Sequence, residues 1–136
     1  MCIPFGRARI VAEGADITVV TNSMMTIKAE KAVRQLQKEG ISAELIDLRT
    51  IVPLDTETII RSVKKTGKLL IVDEGHLSFG ITGEIASRIM PDVFYDLDAP
   101  IQRMGTADVP LPFSPALEFP LIPDEKKIAA KIREMV

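Results

Sequence analysis

The sequence contains no tryptophan, one tyrosine, one histidine and one cysteine among its 136 residues. Because Cys2 has no second cysteine to pair with, an internal disulfide is excluded, and this composition fits a reducing compartment. His76 likewise has no second histidine with which to form a zinc site. Long apolar runs are missing too, since no stretch approaches the ~18 residues that a membrane span needs. The stretch from Met1 to Glu13 is broken by proline, glycine and arginine, which is unlike a signal peptide.

The charge balance lacks a strong excess of either sign. The 17 basic and 19 acidic residues give a net charge of -2, which offers no electrostatic basis for binding nucleic acid or a membrane surface. The apolar fraction of 46% and the length are those of a soluble domain with a core of its own. We therefore expect an amino-terminal arm or linker over residues 1–8 and one domain over residues 9–136.

A strand, a loop and a capped helix are predicted in the first half of the chain. The apolar alternation of Ala43–Asp47 favours a strand. Asp55 is placed to cap a helix over Thr56–Thr66, and Gly67 is placed to end it. This arrangement is typical of the middle of a βαβ unit. Its loop leaves the carboxyl end of a strand, where open α/β sheets carry their ligand and partner sites.

Four further segments have strand patterns. Arg9–Val11 and Ile17–Thr21 flank the polar residues Glu13–Asp16, and they are predicted to form a hairpin. Lys68–Asp73 is a continuous apolar run, which is typical of a parallel strand buried on both faces. Ala99–Gly105 is predicted to be the last main strand, with a proline near its start where a missing N–H is tolerated.

Apolar residues at helical spacing predict three more helices. The first is expected to end at Gly40, the second to run until Pro91, and the last to begin at Asp124. The residues expected to face the core are Met25, Ala29, Ala32, Val33, Leu36, Ile81, Ile85, Ala86, Ile89, Ile128, Ala129, Ile132 and either Met135 or Val136. A polar loop is expected over Glu74–Gly83 and an extended surface segment over Ala107–Pro123. The pattern predicts a three-layer α/β/α fold, with a mostly parallel sheet of about five strands and an antiparallel edge hairpin.

The segment Gly75–Gly83 lies between a predicted buried strand and a predicted helix, which is the context of a phosphate cradle. The lysine that a P-loop requires is absent, because Gly80 is followed by Ile81 and Thr82. No G-x-G-x-x-G dinucleotide motif is present either. Two interpretations stay open, anion binding by the backbone at this helix start and ordinary turn chemistry for the glycines, and the second is favoured.

Few side chains are grouped as catalysis would require. His76 would serve as a general base or a metal ligand only if the loop placed the side chains of Asp73 and Glu74 next to its imidazole. An imidazole bonded to a backbone carbonyl is the favoured alternative. Asp92, Asp96 and Asp98 form a small acidic cluster, interpreted either as a solvated turn or as a docking patch for a basic partner. The residues alone therefore indicate an α/β domain without an evident active site.

The order of several segments resembles a known family. D-L-R-T-x2-P-L-D at Asp47–Asp55 and V-D-E-G-H at Val72–His76 are the most specific, and LDAPIQRMGTADVPLPFSPALE and PDEKKIAAKIREMV follow further along the chain. They resemble the carboxyl-terminal domain of the transketolase superfamily. The greatest similarity is to beta subunits of thiamine-diphosphate-dependent pyruvate, branched-chain and acetoin dehydrogenases. The resemblance covers Phe5–Val136 and departs at Leu77–Thr82, where the family more often has a glycine-richer turn.

The resemblance implies that this domain holds no cofactor, metal or catalytic residue of its own. Thiamine diphosphate and magnesium would be bound in the parent complex by an amino-terminal domain and the alpha subunit. The expected partners are the alpha subunit and a second beta subunit, with a homodimer through the beta–beta contact. The basic subunit-binding domain of the acyltransferase core is expected to dock on Asp96, Asp98 and the terminal carboxylate of Val136. The expected location is the cytoplasm, or the mitochondrial matrix in a eukaryote.

Three functional hypotheses are compatible with these observations. The first is a structural and assembly domain of a pyruvate dehydrogenase-like beta subunit, part of an oxidoreductase but not catalytic alone. The alternative is a stand-alone doubly wound module that binds a small anion or a nucleotide through Gly75–Gly83. The third is a self-contained enzyme that uses His76. Under the first hypothesis, an isolated domain exposes apolar surface and is expected to associate with itself.

Overall fold

The computed structural model describes residues 7–22, 24–49, 54–76, 81–106 and 124–136. Within these ranges the chain forms one sheet of five strands and four helices. The strands are β1 Arg9–Ala12, β2 Ile17–Thr21, β3 Ala43–Asp47, β4 Leu69–His76 and β5 Gln102–Thr106. The helices are α1 Met24–Lys38, α2 Thr56–Thr66, α3 Ile81–Val93 and α4 Glu125–Met135.

The sheet has the strand order β1-β3-β2-β4-β5. β2 lies at its centre and pairs in parallel with β3 on one side and with β4 on the other. β5 continues the parallel arrangement beyond β4, whereas β1 pairs antiparallel with β3 at the opposite edge. The prediction of a mostly parallel sheet of about five strands with an antiparallel edge is therefore confirmed.

The predicted hairpin between Arg9–Val11 and Ile17–Thr21 is wrong. Both segments form strands, but β1 pairs with β3 and not with β2. The reason is that β3 and β4 occupy the two edges of β2, so β2 has no edge left for β1. The polar residues between β1 and β2 therefore form a connection that passes β3, and they do not form a tight turn.

This connection lies directly against the start of β3. The Asp16 backbone N–H donates to the Ser42 carbonyl at 2.8 Å, and the Ser42 N–H donates to Asp16 Oδ2 at 2.7 Å. At Gly14, an added Cβ would lie 2.6 Å from the Glu44 backbone nitrogen, closer than real Cβ atoms approach. Only glycine lets the connection cross β3 at this distance without displacing backbone.

Glu44 of β3 provides the second attachment of the connection. Its carboxylate is 3% exposed. Oε1 accepts a hydrogen bond from the Gly14 N–H at 3.3 Å and pairs with the Lys65 ammonium of α2. Burial raises the pKa of Glu44, but the hydrogen bonds from Lys65, Ser62 and Gly14 outweigh burial and hold the pKa below its ordinary value. Glu44 therefore joins the β1–β2 connection, β3 and α2.

The helices cover both faces of the sheet, which confirms the three-layer α/β/α prediction. α1 and α4 pack on one face and α2 and α3 on the other, each pair over its own apolar cluster. Consecutive strand residues alternate between the clusters, so that Val19 and Leu70 belong to the first whereas Val20 and Ile71 belong to the second. Met135 packs against the first cluster, and Val136 is exposed.

The caps predicted for α2 are confirmed. Asp55 Oδ1 accepts a hydrogen bond from the Thr58 N–H at 3.2 Å, and Gly67 has the left-handed φ of 77° that ends the helix. Asp55 Oδ2 also accepts from the Ala8 N–H at 2.9 Å, which ties the start of the chain to α2. Partial burial raises the pKa of Asp55, but the hydrogen bonds from Thr58 and Ala8 outweigh burial and the pKa lies below its ordinary value.

Two boundaries around Glu74–Gly83 were predicted wrongly. β4 does not end at Asp73 but continues to His76, which is aligned with Thr106 of β5. The backbone of Glu74, Gly75 and His76 therefore lies in a strand, because β5 offers it a pairing partner that the local sequence does not reveal. Gly83 lies inside α3, and residues 77–80 are outside the described residues.

The ends of α3 and β5 also differ from the prediction. α3 passes Pro91 and ends at Val93. The carbonyl that loses its helical partner belongs to Ser87, which is exposed, so water can satisfy it. β5 begins at Gln102 and not at Ala99, because the backbone bends at Asp98 and Ala99 and Pro100 has no N–H to donate to a strand. The predicted extended segment Ala107–Pro123 lies outside the described residues.

Candidate partner-binding surface

Asp96 and Asp98 lie in a turn that follows α3 and is held by the backbone. The Asp96 and Leu97 N–H groups donate to the Val93 carbonyl at 2.9 and 3.1 Å, and the Asp98 N–H donates to the Gly67 carbonyl at 2.7 Å. Leu97 packs against the core between α2, α3 and the sheet. Both aspartates are exposed. The turn therefore presents two carboxylates on an anchored backbone.

Gly67 determines the space available to this turn. A Cβ added at Gly67 would lie 3.0 Å from Asp98 Cγ and 3.4 Å from the Asp96 carbonyl oxygen. The glycine that ends α2 therefore also makes room for the Asp98 side chain. The sequence predicted these two features separately, and the structure shows that they are in contact.

Val136 lies at the end of α4, on a different part of the surface. Its N–H donates to the Ile132 carbonyl at 3.0 Å, and the residue is 46% exposed. The last turn of α4 is attached to the end of α1, because Arg133 donates to the two carboxylate oxygens of Glu39 at 2.8 and 2.6 Å. These hydrogen bonds lower the pKa of Glu39 and raise that of Arg133.

The three predicted site residues share one end of the sheet but not one face. The turn with Asp96 and Asp98 bonds to Gly67, just before β4 starts, and α4 bonds to Glu39, shortly before β3 starts. Both therefore lie at the end where the parallel strands begin. The turn packs on the α2–α3 face, whereas Val136 ends a helix on the α1–α4 face. The fold brings Asp96 and Asp98 together and leaves Val136 apart from them.

Two aromatic residues at this turn were missed by the sequence analysis. Tyr95 is 95% exposed and Phe94 is 62% exposed. The rings pack edge to face, with centroids 5.2 Å apart and an interplanar angle of 85°. The sequence carried no signal for their exposure, which follows from the structure, where Val93 is the last buried residue of α3.

The residues that end β3 and β4 lie at the opposite end of the sheet. His76 ends β4, where it is aligned with Thr106 of β5, and its side chain lies outside the described part of the structure. Arg49 follows β3 with a left-handed φ of 62°, and its N–H donates to Asp47 Oδ1 at 3.1 Å. Across the ranges that the structure describes, no three His, Cys, Asp or Glu side chains are grouped as metal ligands would be. In those same ranges, no helix has the length and apolar character needed to cross a membrane.

The chain matches the family described as the transketolase C-terminal domain over residues 6–128. The beta subunit of the pyruvate dehydrogenase E1 component from Rickettsia felis is 47% identical over 133 residues, which are 98% of this chain and 41% of that protein. The 2-oxoisovalerate dehydrogenase subunit beta from Bacillus subtilis is 41% identical over 134 residues, again 98% of this chain and 41% of that protein.

Two further comparisons agree with this family match. The beta subunit of acetoin:2,6-dichlorophenolindophenol oxidoreductase from Cupriavidus necator is 42% identical over 132 residues, which are 97% of this chain and 39% of that protein. A solved structure titled as a split gene transketolase, inactive beta4 tetramer, superposes with a TM-score of 0.83 at 26% identity, covering 99% of this chain and 44% of that chain. The chain thus spans about two fifths of the length of the curated relatives it matches.

Proposed function

The chain belongs to the transketolase C-terminal domain family, as it occurs in beta subunits of 2-oxoacid dehydrogenase E1 components, and we propose that its function is assembly. In this proposal it joins a pyruvate dehydrogenase-like beta subunit to a second beta subunit and to the alpha subunit. It also docks the resulting heterotetramer to the acyltransferase core. The domain contributes to an oxidoreductase without carrying out the reaction by itself.

One observation carries the proposal. The relatives match almost all of this chain, yet the match accounts for only 41% of the Rickettsia felis protein. More than half of such a subunit is therefore made of other sequence, to which we assign the coenzyme contacts. We derive no reaction step through thiamine diphosphate or magnesium.

The contact with a second beta subunit is supported by exposed apolar side chains. Ile10 on the edge strand β1 and Ile27 on α1 are both exposed, and an assembly would bury such side chains. The split gene transketolase is titled an inactive tetramer of beta chains, which is a precedent for self-association without activity. The location that we propose is the cytoplasm, or the mitochondrial matrix in a eukaryote.

The docking contact is proposed at Asp96, Asp98 and the carboxylate of Val136. The two aspartates are exposed on a turn whose backbone is anchored, so their charges are held in place before a partner arrives. Such charges increase the association rate and the specificity for a basic partner more than they increase raw affinity. A partner that contacts all three residues must reach both faces at the strand-start end of the sheet.

We expect Asp98→Asn to weaken binding of the basic subunit-binding domain of the acyltransferase core by about tenfold, which is a loss of about 1.4 kcal/mol. The substitution removes one charge and keeps the shape of the side chain beside Gly67. Titration calorimetry with the full chain gives the affinity. Glu57→Gln is the matched control, because it removes an exposed charge from α2 on the same face and is expected to change the affinity by less than about twofold.

Two outcomes would contradict the docking proposal. One is that the unsubstituted chain shows no heat of binding with this domain. The other is that Asp98→Asn and Glu57→Gln weaken binding equally, which would show a response to net charge and not to this turn.

A further inference from the structure

The turn after α3 combines exposed apolar surface with a concentration of negative charge. We define the aromatic–acidic patch as Phe94, Tyr95, Asp92, Asp96 and Asp98. Every one of its five residues is exposed. The stretch Ile89–Ile101, which contains the patch, has three aspartates and no lysine or arginine. An exposed aromatic pair beside three carboxylates is unusual for a free surface, because each exposed ring leaves apolar area in contact with water.

The patch is organised before any partner binds. The edge-to-face contact holds the two rings against each other, with centroids 5.2 Å apart. The backbone below them is fixed, because the Phe94 N–H donates to the Met90 carbonyl at 3.0 Å and the Asp96 N–H donates to the Val93 carbonyl at 2.9 Å. Aromatic side chains have few rotatable bonds, so burying them against a partner costs little conformational entropy. This is the character of a binding hot spot.

From these observations we infer that the aromatic–acidic patch anchors a cationic protein segment, with an arginine side chain stacked on the Tyr95 ring and its guanidinium beside the aspartates. An arginine has both properties that the patch requires: a planar face that stacks on an aromatic ring and a charge that pairs with carboxylates. The inference rests on the proposed docking function and deepens it, since it names the chemistry of the partner contact and adds the aromatic anchor to the two aspartates.

A second copy of this chain is the other occupant to consider. A two-fold contact centred on the patch would place the same surface against itself. Three aspartates would then face three aspartates, and like charges in a desolvated contact repel each other. The charge of the patch therefore favours a basic partner over a second copy.

The fluorescence of Tyr95 can measure partner binding, because Tyr95 is the only tyrosine in a chain without tryptophan. Its fluorescence therefore reports on the patch alone. We expect the neutral quencher acrylamide to reach Tyr95 freely in the chain by itself. Addition of the basic subunit-binding domain, in a form that contains neither tyrosine nor tryptophan, is expected to protect Tyr95 from quenching. In the Asp98→Asn variant, a higher concentration of the partner is expected to be needed for the same protection from quenching.

Substitutions at Tyr95 test whether the ring contributes to binding. We expect Tyr95→Ala to weaken the affinity measured by calorimetry by about tenfold, equivalent to about 1.4 kcal/mol. Tyr95→Phe keeps the aromatic face and is expected to stay within about twofold. Gln37→Ala is the matched control, because it truncates an exposed side chain of α1 on the other face of the sheet. It too is expected to stay within about twofold.

The outcomes separate this inference from the docking proposal. If Asp98→Asn weakens binding but Tyr95→Ala does not, docking is supported and the aromatic anchor is wrong. If the unsubstituted chain does not bind the domain, the docking proposal fails and the inference fails with it. If Tyr95→Ala instead weakens self-association in sedimentation velocity, with no effect on the basic domain, a second copy is the occupant and the inference is overturned.

Discussion

Gly14→Ala is expected to lower the free energy of unfolding by about 3 kcal/mol, the upper part of the range for forcing extra atoms into a packed site. The new methyl group would lie 2.6 Å from the Glu44 backbone nitrogen. Its neighbours at this point are main-chain atoms of Ala43 and Glu44, which cannot rotate away as the end of a flexible side chain can. The connection between β1 and β2 would have to lift off β3. Urea denaturation of the full chain measures the change.

Gly40→Ala is the matched control for this prediction. Gly40 has a left-handed φ of 86°, but in the part of the chain that the structure describes no atom lies within 4 Å of an added Cβ. Gly40→Ala is therefore expected to lower the free energy of unfolding only by the cost of a left-handed backbone at alanine, about 1 kcal/mol. If Gly14→Ala costs no more than Gly40→Ala, the connection does not lie against β3 as the structure shows.

Glu44→Ala is expected to cost about 3 kcal/mol at neutral pH, because hydrogen bonds to a charged group contribute about 1.5–3 kcal/mol each. The substitution removes the acceptor of the Gly14 N–H and the ion pair with Lys65. The Gly14 N–H would then lose its acceptor at the crossing, and α2 would lose its link to β3. Urea denaturation at neutral and at acidic pH measures both the loss and its pH dependence.

The sign of the pH dependence follows from the lowered pKa of Glu44. A carboxylate whose folded-state pKa lies below the unfolded value of about 4.3 stabilises the fold above that pH. This contribution disappears as the pH falls through the folded-state pKa. The difference in unfolding free energy between the unsubstituted chain and Glu44→Ala is therefore expected to have its full value at pH 7 and to shrink below about pH 4.

Glu30→Ala is the control for Glu44. Glu30 forms an i, i+4 pair with Arg34 at 2.6 Å, and the arginine side chain is exposed. Such helix pairs contribute about 0.3–0.5 kcal/mol. A loss of the same size for both variants, or a Glu44 effect that does not change with pH, would mean that the buried carboxylate is not the link described above.

The helices were predicted well because their determinants are local. The Asp55 cap, the Gly67 stop and the apolar spacing within α1 and α4 all act between residues a few positions apart. Strand pairing is not local. The residues of β1 were identified, but its partner is β3, more than 30 residues away. Gly14 is the residue that permits this crossing, and in the sequence it looked like an ordinary turn glycine.

In the candidate site, too, the residues were identified from the sequence but their long-range contacts were not. Asp96 and Asp98 were identified through family resemblance, and they are exposed as a docking site requires. The contact between Asp98 and Gly67 joins the ends of two helices, and no local pattern predicts it. Val136 was grouped with the aspartates by resemblance, although one chain holds them on opposite faces of the sheet. The aromatic pair was missed because only the structure shows how far Phe94 and Tyr95 extend into solvent.

In the proposed function, this domain assembles a complex and other sequence binds the coenzyme. The most direct test is to supply the purified chain with thiamine diphosphate, magnesium and either pyruvate or 2-oxoisovalerate, and to measure release of carbon dioxide. We predict no release above that of the same mixture without protein. Sustained release that scales with the concentration of the chain would contradict the proposed function.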